Sequence, residues 1–381
     1  MRNCLNNRIV PFILAILLFT GTSAHGEFKD KTWLIIKFNE YDLAINNGDG
    51  YSKSTNESGA LAWAESYLLE AYLDMYEATL NISYIEKFII HSNRIITNSD
   101  KMMRIADYKG RIRTGWNATK YSENRKPMIH VVNSGMILYP MTKFSLMVKK
   151  NKDLSKYSNF AEKLTKLAED GVLEFESQWK YNTDTGEGTY WFEGDEPMRA
   201  NLTAPMPING PLALGRVIVK LYQITGNDSY LSKNIALALY FKRNLHQTND
   251  GMYIWGYRLD MKKYPQIEDI SHGAIDVDFA VQSSKISNIF TEEDLMKFSK
   301  TLIATKKNGN FSKFVDGSDN GRDKVDYSEA SGRWLELSTV DCRVYKIVYD
   351  YMINMLQKNN KVHPSVMLGL AKLIKYQNKC R

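Results

Sequence analysis

Two stretches of the sequence share one design, and they decide the fold. Residues 75–85 read Met-Tyr-Glu-Ala-Thr-Leu-Asn-Ile-Ser-Tyr-Ile, and residues 221–231 read Leu-Tyr-Gln-Ile-Thr-Gly-Asn-Asp-Ser-Tyr-Leu, at a constant offset of 146 positions. In each copy a helical pattern ends, a short polar turn follows, and a second helix begins at the second tyrosine. A weaker third copy turns at 151–156. The repeat predicts a chain built of helical hairpins.

The same periodicity runs through most of the chain. Apolar residues recur at spacings of three and four positions in eleven segments. These are residues 60–78, 84–97, 132–149, 157–178, 211–224, 230–245, 271–287, 292–305, 327–339, 341–357 and 363–376. Stacked hairpins bury their apolar faces on one another, and an open array would need polar end caps that the sequence lacks. We therefore predict an all-α closed ring of six hairpins. The best strand candidate, 34–38, is equally compatible with a buried N-terminal extension.

The N-terminus has the pattern of a secretory signal peptide. Arg2 and Arg8 make a basic start, 9–19 is an apolar run, and small residues follow at 22–24. An uncleaved anchor is disfavoured because the run is too short to span a bilayer. The predicted divisions are a signal peptide at 1–24, an N-terminal extension at 25–54 and a toroid domain at 55–381. The mature protein is expected to be secreted or periplasmic, with no membrane contact after the signal is removed.

Composition limits the remaining possibilities. With 44% apolar and 12% aromatic residues, the chain can bury a large core. The formal net charge of +7 is mild and no basic stripe occurs, which argues against a nucleic-acid partner. Cys342 and Cys380 pair or stay free with about equal expectation. No Cys-x-x-Cys occurs and no two histidines share ligand spacing, so neither a metal nor another cofactor is predicted.

Four long segments between the hairpins are rich in aromatic residues: 106–130, 179–210, 250–270 and 307–328. Loops of this length inside a compact domain are usually functional or disordered, and dense aromatic residues favour packing over disorder. We expect these segments to form a binding surface.

The hairpin segments resemble a known superfamily. Trp63-Ala-Glu65-Ser-Tyr-Leu-Leu, the turn after Tyr76, Asn209-Gly-Pro211-Leu-Ala-Leu-Gly-Arg and the second copy of the turn are similar to the six-hairpin glycosidases. The resemblance covers about residues 55–376. It implies an (α/α)6 toroid whose loops at one end form a cleft. It also implies a polysaccharide or oligosaccharide substrate, since the superfamily includes glycoside hydrolases, unsaturated-glucuronyl hydrolases and related lyases.

The densest group of titratable residues lies at 268–278, Glu-Asp-Ile-Ser-His-Gly-Ala-Ile-Asp-Val-Asp. His272 is the first candidate for an acid or base, oriented by Asp269 or Asp276. Ser271 is the expected helix cap. Glu268 and Asp269 can form part of a carboxylate pair, or they can simply compensate a helix N-terminus.

Helix geometry limits some of the candidate residues, and further candidates lie outside this segment. Asp276 and Asp278 are two positions apart on a helix, so at most one of them can serve a site with His272. Glu65 lies among apolar neighbours and is a candidate acid, although a hydrogen bond to a tyrosine is the more expected role. The predicted substrate-binding residues are Arg113, Arg199 and Arg258 for uronate carboxylates, Trp116, Trp191 and Trp255 for sugar rings, and Asn209 at a helix start.

These residues favour an exported enzyme that cuts a polysaccharide, with uronic acids as the expected sugars. In β-elimination, His272 or Tyr257 would remove the C5 proton while Arg258 neutralises the carboxylate. In hydrolysis, two acids from among Glu65, Glu268, Asp269 and Asp276 would act. The sequence favours elimination slightly, because histidine and arginine stand beside the acids. A non-catalytic glycan-binding or polysaccharide-assembly protein, and more weakly an epimerase, are the alternatives.

Overall fold

The computed structural model describes residues 28–197, 204–258, 266–319, 326–358 and 363–380. The predicted signal peptide and Arg199 lie outside these ranges. The α-helices are α1 (Lys31–Ala44), α2 (Ser66–Thr79), α3 (Ser83–Thr97), α4 (Asp100–Met103), α5 (Val131–Lys150), α6 (Ser158–Leu173), α7 (Asn209–Thr225), α8 (Asp228–Arg243), α9 (Ile270–Ser283), α10 (Glu292–Thr305), α11 (Cys342–Lys358) and α12 (Pro364–Cys380). A π-helical turn, Leu61–Glu65, leads into α2, and a long 3-10 helix spans Ser328–Thr339.

Short elements fill the connections. Single 3-10 turns occur at Asn46–Gly48, Glu123–Arg125, Lys152–Tyr157 and Glu176–Gln178. Three antiparallel two-stranded ribbons pair β1 (Trp179–Tyr181) with β2 (Gly188–Tyr190), β3 (His246–Gln247) with β4 (Tyr253–Ile254), and β5 (Lys306–Lys307) with β6 (Asn310–Phe311). All eleven predicted helical segments are helical, although 327–339 forms the long 3-10 helix rather than an α-helix.

Six elements form a closed inner ring. In order around the ring they are α2, α5, α7, α9, the long 3-10 helix and α12, and α12 packs back against α2. Each inner element has an outer partner; these partners are α3, α6, α8, α10, α11 and α1. The prediction of an all-α (α/α)6 toroid of six hairpins is therefore confirmed.

The repeated sequence forms the same turn twice. The Thr79 hydroxyl accepts a hydrogen bond from the Asn81 N–H (3.2 Å), and the Asn81 side chain accepts from the Ser83 N–H (3.1 Å). Thr225, Asn227 and Ser229 repeat both bonds at 3.2 and 3.0 Å. The residue after each threonine is left-handed, Leu80 with φ 57° and Gly226 with φ 72°. These side-chain bonds replace the backbone bonds lost at the helix ends.

The N-terminal segment does not form the expected extension. Residues 34–38, the best strand candidate, lie in helix α1, where Leu34 and Phe38 are fully buried. Helix α1 packs against α12 and supplies the sixth outer helix. The Gln377 side chain also donates to the Lys29 carbonyl at 2.8 Å. The boundary predicted at residue 55 therefore falls inside the toroid, because the ring needs α1 to cover α12.

Glycines allow neighbouring inner elements to touch backbone to backbone. A Cβ at Gly135 of α5 would lie 2.4 Å from the backbone of Ala213 in α7. A Cβ at Gly332 of the long 3-10 helix would lie 2.6 Å from the Cα of Gly369 in α12. Any side chain at these positions would separate the elements, so the ring diameter depends on their being glycine.

The ring axis is filled by buried charged side chains. Lys372 Nζ lies 2.9 Å from Glu70 Oε1 and 2.6 Å from Glu336 Oε1. Lys143 and Lys375 each reach Asp74 Oδ1 at 2.7 Å. Buried charges are tolerated when they are paired in this way, and removing one partner is costly. The inner elements are thus buried on every side, with apolar faces toward their neighbours and ionic groups toward the axis.

A disulfide joins Cys342 at the start of α11 to Cys380 at the end of α12. It closes a loop with a sequence separation of 38 residues. Such a link restricts the unfolded chain and so stabilises the folded state by about 2–4 kcal/mol. We expect Cys342→Ser with Cys380→Ser to lower the thermal midpoint by several degrees, measured by calorimetry without reductant. In a second measurement, added reductant should lower the thermal midpoint of the parent and leave that of the double variant unchanged.

None of the described helices is long and apolar enough to span a bilayer.

Candidate active site

The N-terminal ends of four inner elements surround one cavity of about 310 Å³. Its walls are Trp63, Tyr121, Met128 to Val132, Phe192, Glu196, Met206, Pro207, Asn209, Gly210, Tyr257 and His272. These residues come from the turn before α2, the start of α5, the start of α7, the start of α9 and three of the aromatic-rich loops. Asn209 and His272 thus lie in the first turns of two helices whose N-terminal ends face the same cavity. A mouth ringed by helix N-termini favours ligands with partial negative charge.

Asp269, rather than the expected Ser271, caps helix α9. Asp269 Oδ1 accepts hydrogen bonds from the N–H groups of Ser271 (2.8 Å) and His272 (2.9 Å). The Ser271 hydroxyl is instead engaged by Arg333, whose Nη2 lies at 2.6 Å. The cap fixes the Asp269 carboxylate relative to the first turn of the helix, so the second oxygen has a defined direction.

That second oxygen holds His272. Asp269 Oδ2 lies 2.7 Å from His272 Nδ1. Burial acts to raise the pKa of Asp269, but the hydrogen bond and charge of His272 outweigh it and bring that pKa below its ordinary value. An ionised carboxylate at Nδ1 selects the tautomer with the proton on Nδ1, which leaves the lone pair on Nε2. The imidazole ring lines the cavity, between the rings of Trp63 (5.9 Å) and Tyr257 (5.5 Å). His272 is thus arranged as a base, and of the two predicted orienting residues Asp269 makes the contact.

Glu268 and Asp276 form a separate buried pair behind the base. Both are fully buried, and their side chains hydrogen-bond to each other. Asp276 Oδ2 also accepts from Trp255 Nε1 at 2.9 Å. Burial and the neighbouring carboxylate raise the pKa of Glu268 well above its ordinary value, and burial raises the pKa of Asp276 to about 7. Two buried acids in contact retain one proton between them, so this pair supports the site from behind and does not line the cavity.

The raised pKa values predict an unusual pH dependence of stability. A carboxyl whose pKa is higher in the folded than in the unfolded chain stabilises the folded state at low pH. This stabilisation is lost as pH rises from about 4, the ordinary pKa of aspartate, toward 7, the pKa of Asp276 in the folded protein. In Asp276→Asn one of the two titrating carboxyls is replaced by a neutral amide, whose oxygen still accepts from Trp255. The variant should therefore gain on the parent between pH 5 and pH 8, by up to about 1.4 kcal/mol per pH unit. Calorimetric melting at the two pH values measures this.

Asp278→Asn is the opposite-sign control on the same helix. Asp278 turns toward the axis, where its Oδ2 lies 2.9 Å from Arg216 Nη1. Burial opposes ionisation there, but Arg216 holds the pKa of Asp278 below its ordinary value. Its replacement leaves a buried guanidinium unpaired, and a loss of about 3–5 kcal/mol is expected at neutral pH. If Asp276→Asn were also less stable at pH 8 than at pH 5 relative to the parent, the shared-proton interpretation would fail.

Glu196 is a second acid in the cavity wall, and the sequence did not single it out. It follows the β1–β2 ribbon, accepts a hydrogen bond from the Gln178 side chain, and is mostly buried. Burial raises the pKa of Glu196 to about 7. A large fraction of Glu196 is therefore protonated near neutral pH, in a cavity that is also lined by His272. Glu196 lies in the aromatic-rich segment 179–210, but only its three-dimensional burial separates it from the neighbouring Glu193 and Asp195.

Two predicted site residues lie away from the cavity. Glu65 turns outward, not inward: its carboxylate bonds His91 Nδ1 of α3 at 2.6 Å and the Tyr51 N–H at 2.5 Å. Burial raises the pKa of Glu65, but the residue is closed off from the cavity and joins α2 to α3. Arg113 bonds Glu174 Oε2 at 2.9 Å and so anchors its loop to the end of α6.

The tryptophans predicted to stack on sugars are not cavity walls. Trp255 is buried among Phe241, Phe298 and Trp334, and its ring faces are covered. Trp116 is buried elsewhere, with its Nε1 donating to the Ile95 carbonyl. Trp191 is partly buried beside the cavity, and the next residue, Phe192, lines it. Trp63, Tyr121 and Phe192 supply the aromatic wall instead, together with the predicted Tyr257.

The remaining predicted residues lie at the cavity or beside it. Asn209 and Tyr257 are lining residues. Arg258 follows Tyr257, and its charge acts on the Tyr257 hydroxyl, although burial dominates and raises the pKa of that hydroxyl. Arg333 lies deeper, with its guanidinium donating to the Tyr67 hydroxyl (2.6 Å) and to Ser271.

Two groups of side chains have the composition of metal ligands. Glu268, Asp269 and His272 bring one ligand atom each within 4.8 Å of one another, and Glu70, Asp74 and Glu336 do the same. In the first group, Asp269 and His272 already bond each other, and in the second Lys372 supplies the positive charge. Both groups are thus accounted for by protein hydrogen bonds and ion pairs.

Solved structures share this architecture. An α-1,6-mannanase from Salegentibacter sp. HEL1_6 superposes with a TM-score of 0.54 at 12% identity, over 92% of this chain and 100% of the mannanase. An α-mannanase from Bacteroides thetaiotaomicron gives 0.58 at 11% identity, over 92% of this chain and 97% of that chain.

The chain has the fold of the six-hairpin glycosidases. An unsaturated glucuronyl hydrolase from Streptococcus agalactiae, of the same fold, gives a TM-score of 0.57 at 12% identity, over 92% of this chain and 93% of the hydrolase. No family model matches the sequence, and no curated protein is significantly similar to it. At such identities the likeness confirms the predicted toroid and leaves the chemistry to be argued from the cavity.

Proposed function

We propose that this protein hydrolyses a glycosidic bond of a polysaccharide or oligosaccharide in the cavity at the N-terminal mouth of the toroid. One observation carries the proposal: His272, held by the Asp269 carboxylate, lines the same cavity as Glu196, an acid whose pKa is raised by burial to about 7. Hydrolysis needs one group to protonate the leaving oxygen and one to activate water. Here the base is His272, held by the Asp269 carboxylate, and the acid is Glu196, whose pKa is raised by burial.

The walls and the solved relatives support a sugar substrate. Trp63, Tyr121, Phe192 and Tyr257 offer aromatic surface, which suits the apolar C–H faces of pyranose rings. The structures of the same fold are described as mannanases and unsaturated glucuronyl hydrolases. A variant of the Salegentibacter mannanase with two consecutive aspartates replaced is described as inactive. Glu268 and Asp269 are likewise consecutive acids; Asp269 holds His272 at the cavity, and Glu268 is buried behind it.

β-Elimination, the reaction that the sequence favoured, is the second candidate. The contact between the His272 and Tyr257 rings favours it, because a histidine base beside a tyrosine suits abstraction of a C5 proton. Elimination also needs a group to neutralise the uronate carboxylate. Among the described lining residues, Asn209 is suited to this role, whereas arginine and lysine do not occur. The raised pKa of Tyr257 keeps its hydroxyl protonated at neutral pH, so His272 would carry the step.

Export is part of the proposal. The leader pattern at 1–24 supports it, and so does the Cys342–Cys380 disulfide, since disulfides persist mainly in oxidising compartments. A polymeric glycan substrate is consistent with that location.

One assay tests the reaction. Purified protein is incubated with neutral mannans and with uronic-acid polysaccharides, and new reducing ends and ultraviolet absorbance are followed together. Hydrolysis predicts reducing ends without absorbance, whereas elimination predicts both, because it leaves an unsaturated sugar. His272→Ala should abolish either signal, while Asp228→Asn, in the first turn of the distant helix α8, should not. Glycan binding without turnover in the parent would favour the non-catalytic alternative and overturn the enzyme proposal.

A further inference from the structure

A second cavity lies at the opposite end of the ring. It has a volume of about 200 Å³, and we call it the basal cavity. It is lined by Glu77, Tyr139, Lys143, Leu146, Met147, Lys150, Lys220, Gln223, Gln282, Lys285, Glu336 and Lys375. Most of these residues belong to the last turns of the inner helices, whose N-termini surround the candidate active site. The two cavities are therefore at opposite mouths of one toroid.

The basal cavity has more positive than negative groups, and its acids are already paired. Glu336 bonds Lys372 and the Tyr376 hydroxyl, each at 2.6 Å. Glu77 Oε2 lies 2.7 Å from Lys375 Nζ. The lysines Lys150, Lys220 and Lys285 have no acidic partner within 4.0 Å among the described residues.

Two of these lysines share a single acceptor. Lys220 Nζ lies 2.7 Å from Gln282 Oε1, and Lys285 Nζ lies 3.2 Å from the same oxygen. Lysines that merely compensate helix C-termini bond the terminal carbonyls, as Lys149 does with the Ile224 carbonyl at 2.5 Å. Lys220 and Lys285 bond side-chain amide oxygens and not main-chain carbonyls; Lys220 also reaches Gln223 Oε1 at 3.4 Å, and each ammonium group keeps at least one further N–H donor for a ligand.

Lys220 is the deepest of the three, with 6% of its surface exposed, whereas Lys150 and Lys285 are exposed at the rim. Burial, and then the charge of Lys285, lower the pKa of Lys220 to about 7. A buried ammonium close to a like charge is unfavourable until an anion joins it.

We propose that the basal cavity binds a small oxyanion between Lys220 and Lys285, with Lys150 at the rim. The chemistry required is a compact group with several oxygens sharing negative charge, as in sulfate, phosphate or the carboxylate of an acidic sugar. The volume admits such an ion or a single sugar unit. Gln223, Gln282 and the Tyr139 hydroxyl offer neutral polar contacts beside it. This site is independent of the proposed hydrolysis, because none of its residues lines the other cavity.

Isothermal titration of the full chain with sulfate tests the proposal. Sulfate stays fully ionised across neutral pH, so any pH dependence belongs to the protein. Saturable binding is expected at low ionic strength, and Lys220→Met and Lys285→Met should each weaken it by about tenfold or more. Lys163→Met, an exposed lysine on α6, is the matched control and should bind like the parent. Since Lys285 is exposed, its variant keeps the test valid if Lys220→Met folds poorly.

The pH dependence of sulfate affinity gives a second readout. Bound sulfate raises the Lys220 pKa from about 7, so affinity should fall as pH rises from 6 to 8.5. The other charged groups that face Lys220 or line its cavity are Glu77 from α2, Lys143 and Lys150 from α5, Asp278 from α9, Lys285 just after α9, Glu336 from the long 3-10 helix, and Lys375 from α12. Of these groups, Asp278 and Glu336 have pKa values below their ordinary values and Lys375 has one above, in each case away from neutrality.

Parallel titrations with phosphate and glucuronate distinguish the sources of the oxyanion. Tighter binding of glucuronate than of sulfate at the same lysines would assign an acidic sugar, and the reverse order would assign an inorganic or phosphate-type ligand. Absence of saturable binding for all three anions, or binding that Lys220→Met and Lys285→Met leave unchanged, would overturn the proposal.

Discussion

Asp269→Asn is expected to lower kcat about 10³- to 10⁴-fold on any glycan that the parent cleaves. The ionised carboxylate keeps the His272 proton on Nδ1, 2.7 Å away, and leaves Nε2 free as a base. A neutral amide can present its N–H to Nδ1, which reverses the tautomer and removes the base. In catalytic histidine–aspartate pairs the wrong tautomer alone costs a factor of this size. Steady-state kinetics on purified protein measures the loss.

Asparagine makes this substitution selective. It is as good a helix cap as aspartate, so the start of α9 and the melting temperature should change little. Asp269→Ala should lose the same activity and in addition about 1 kcal/mol of stability, since the bonds to the Ser271 and His272 N–H groups disappear. A variant Asp269→Asn that kept one third of the parental kcat would remove His272 and Asp269 from the mechanism.

Glu196→Gln is expected to lower kcat about 10²- to 10⁴-fold on natural polysaccharides, since the leaving oxygen would no longer be protonated. The parent should lose activity as pH rises through about 7, the pKa to which burial raises Glu196. The raised pKa means that the acid is protonated below this value and ionised above it. The alkaline limb of the pH profile should therefore disappear in Glu196→Gln. Measuring kcat from pH 5 to pH 9 tests both statements.

Aryl glycosides sharpen the test of Glu196. Their phenolate leaves without help from an acid, so Glu196→Gln should be nearly as active as the parent on an aryl substrate and deficient on the natural polymer. Glu193→Gln is the matched control: it lies in the same loop, bonds Ser177 and Lys109, and has a lowered pKa. Equal losses on both substrate classes would make Glu196 a structural residue and not the acid.

The hairpin fold could be predicted because local signals agree with one another. Thr79, Asn81 and Ser83 specify a turn through bonds within five residues, and their second copy specifies it again. The helical segments follow from apolar spacing alone. The place of α1 could not be predicted, because what makes 31–44 a ring helix is α12, far away in sequence.

The candidate site was only partly predictable, for a different physical reason. His272 and Asp269 are three residues apart, so their contact follows from helix geometry. The burial of Glu196 and of Trp255 depends on how loops fold over distant helices, and no local pattern encodes it. The charged side chains along the ring axis could not be predicted from the sequence either. Lys372 and Asp74 look like solvent-facing positions in sequence, whereas in a ring the polar face of an inner helix turns to the axis.

Closure of the ring between its first and last inner helices, α2 and α12, has a consequence for how the chain folds. The Lys29 N–H donates to the Tyr349 hydroxyl across a separation of 320 residues, so this contact forms only after nearly all of the described chain exists. Such high contact order makes folding slow and leaves apolar helix faces uncovered in partly made rings. A nascent or translocating chain would present the open seam between α2 and α12 to other proteins. We therefore expect folding of the closed toroid to be helped by chaperones that cover this seam.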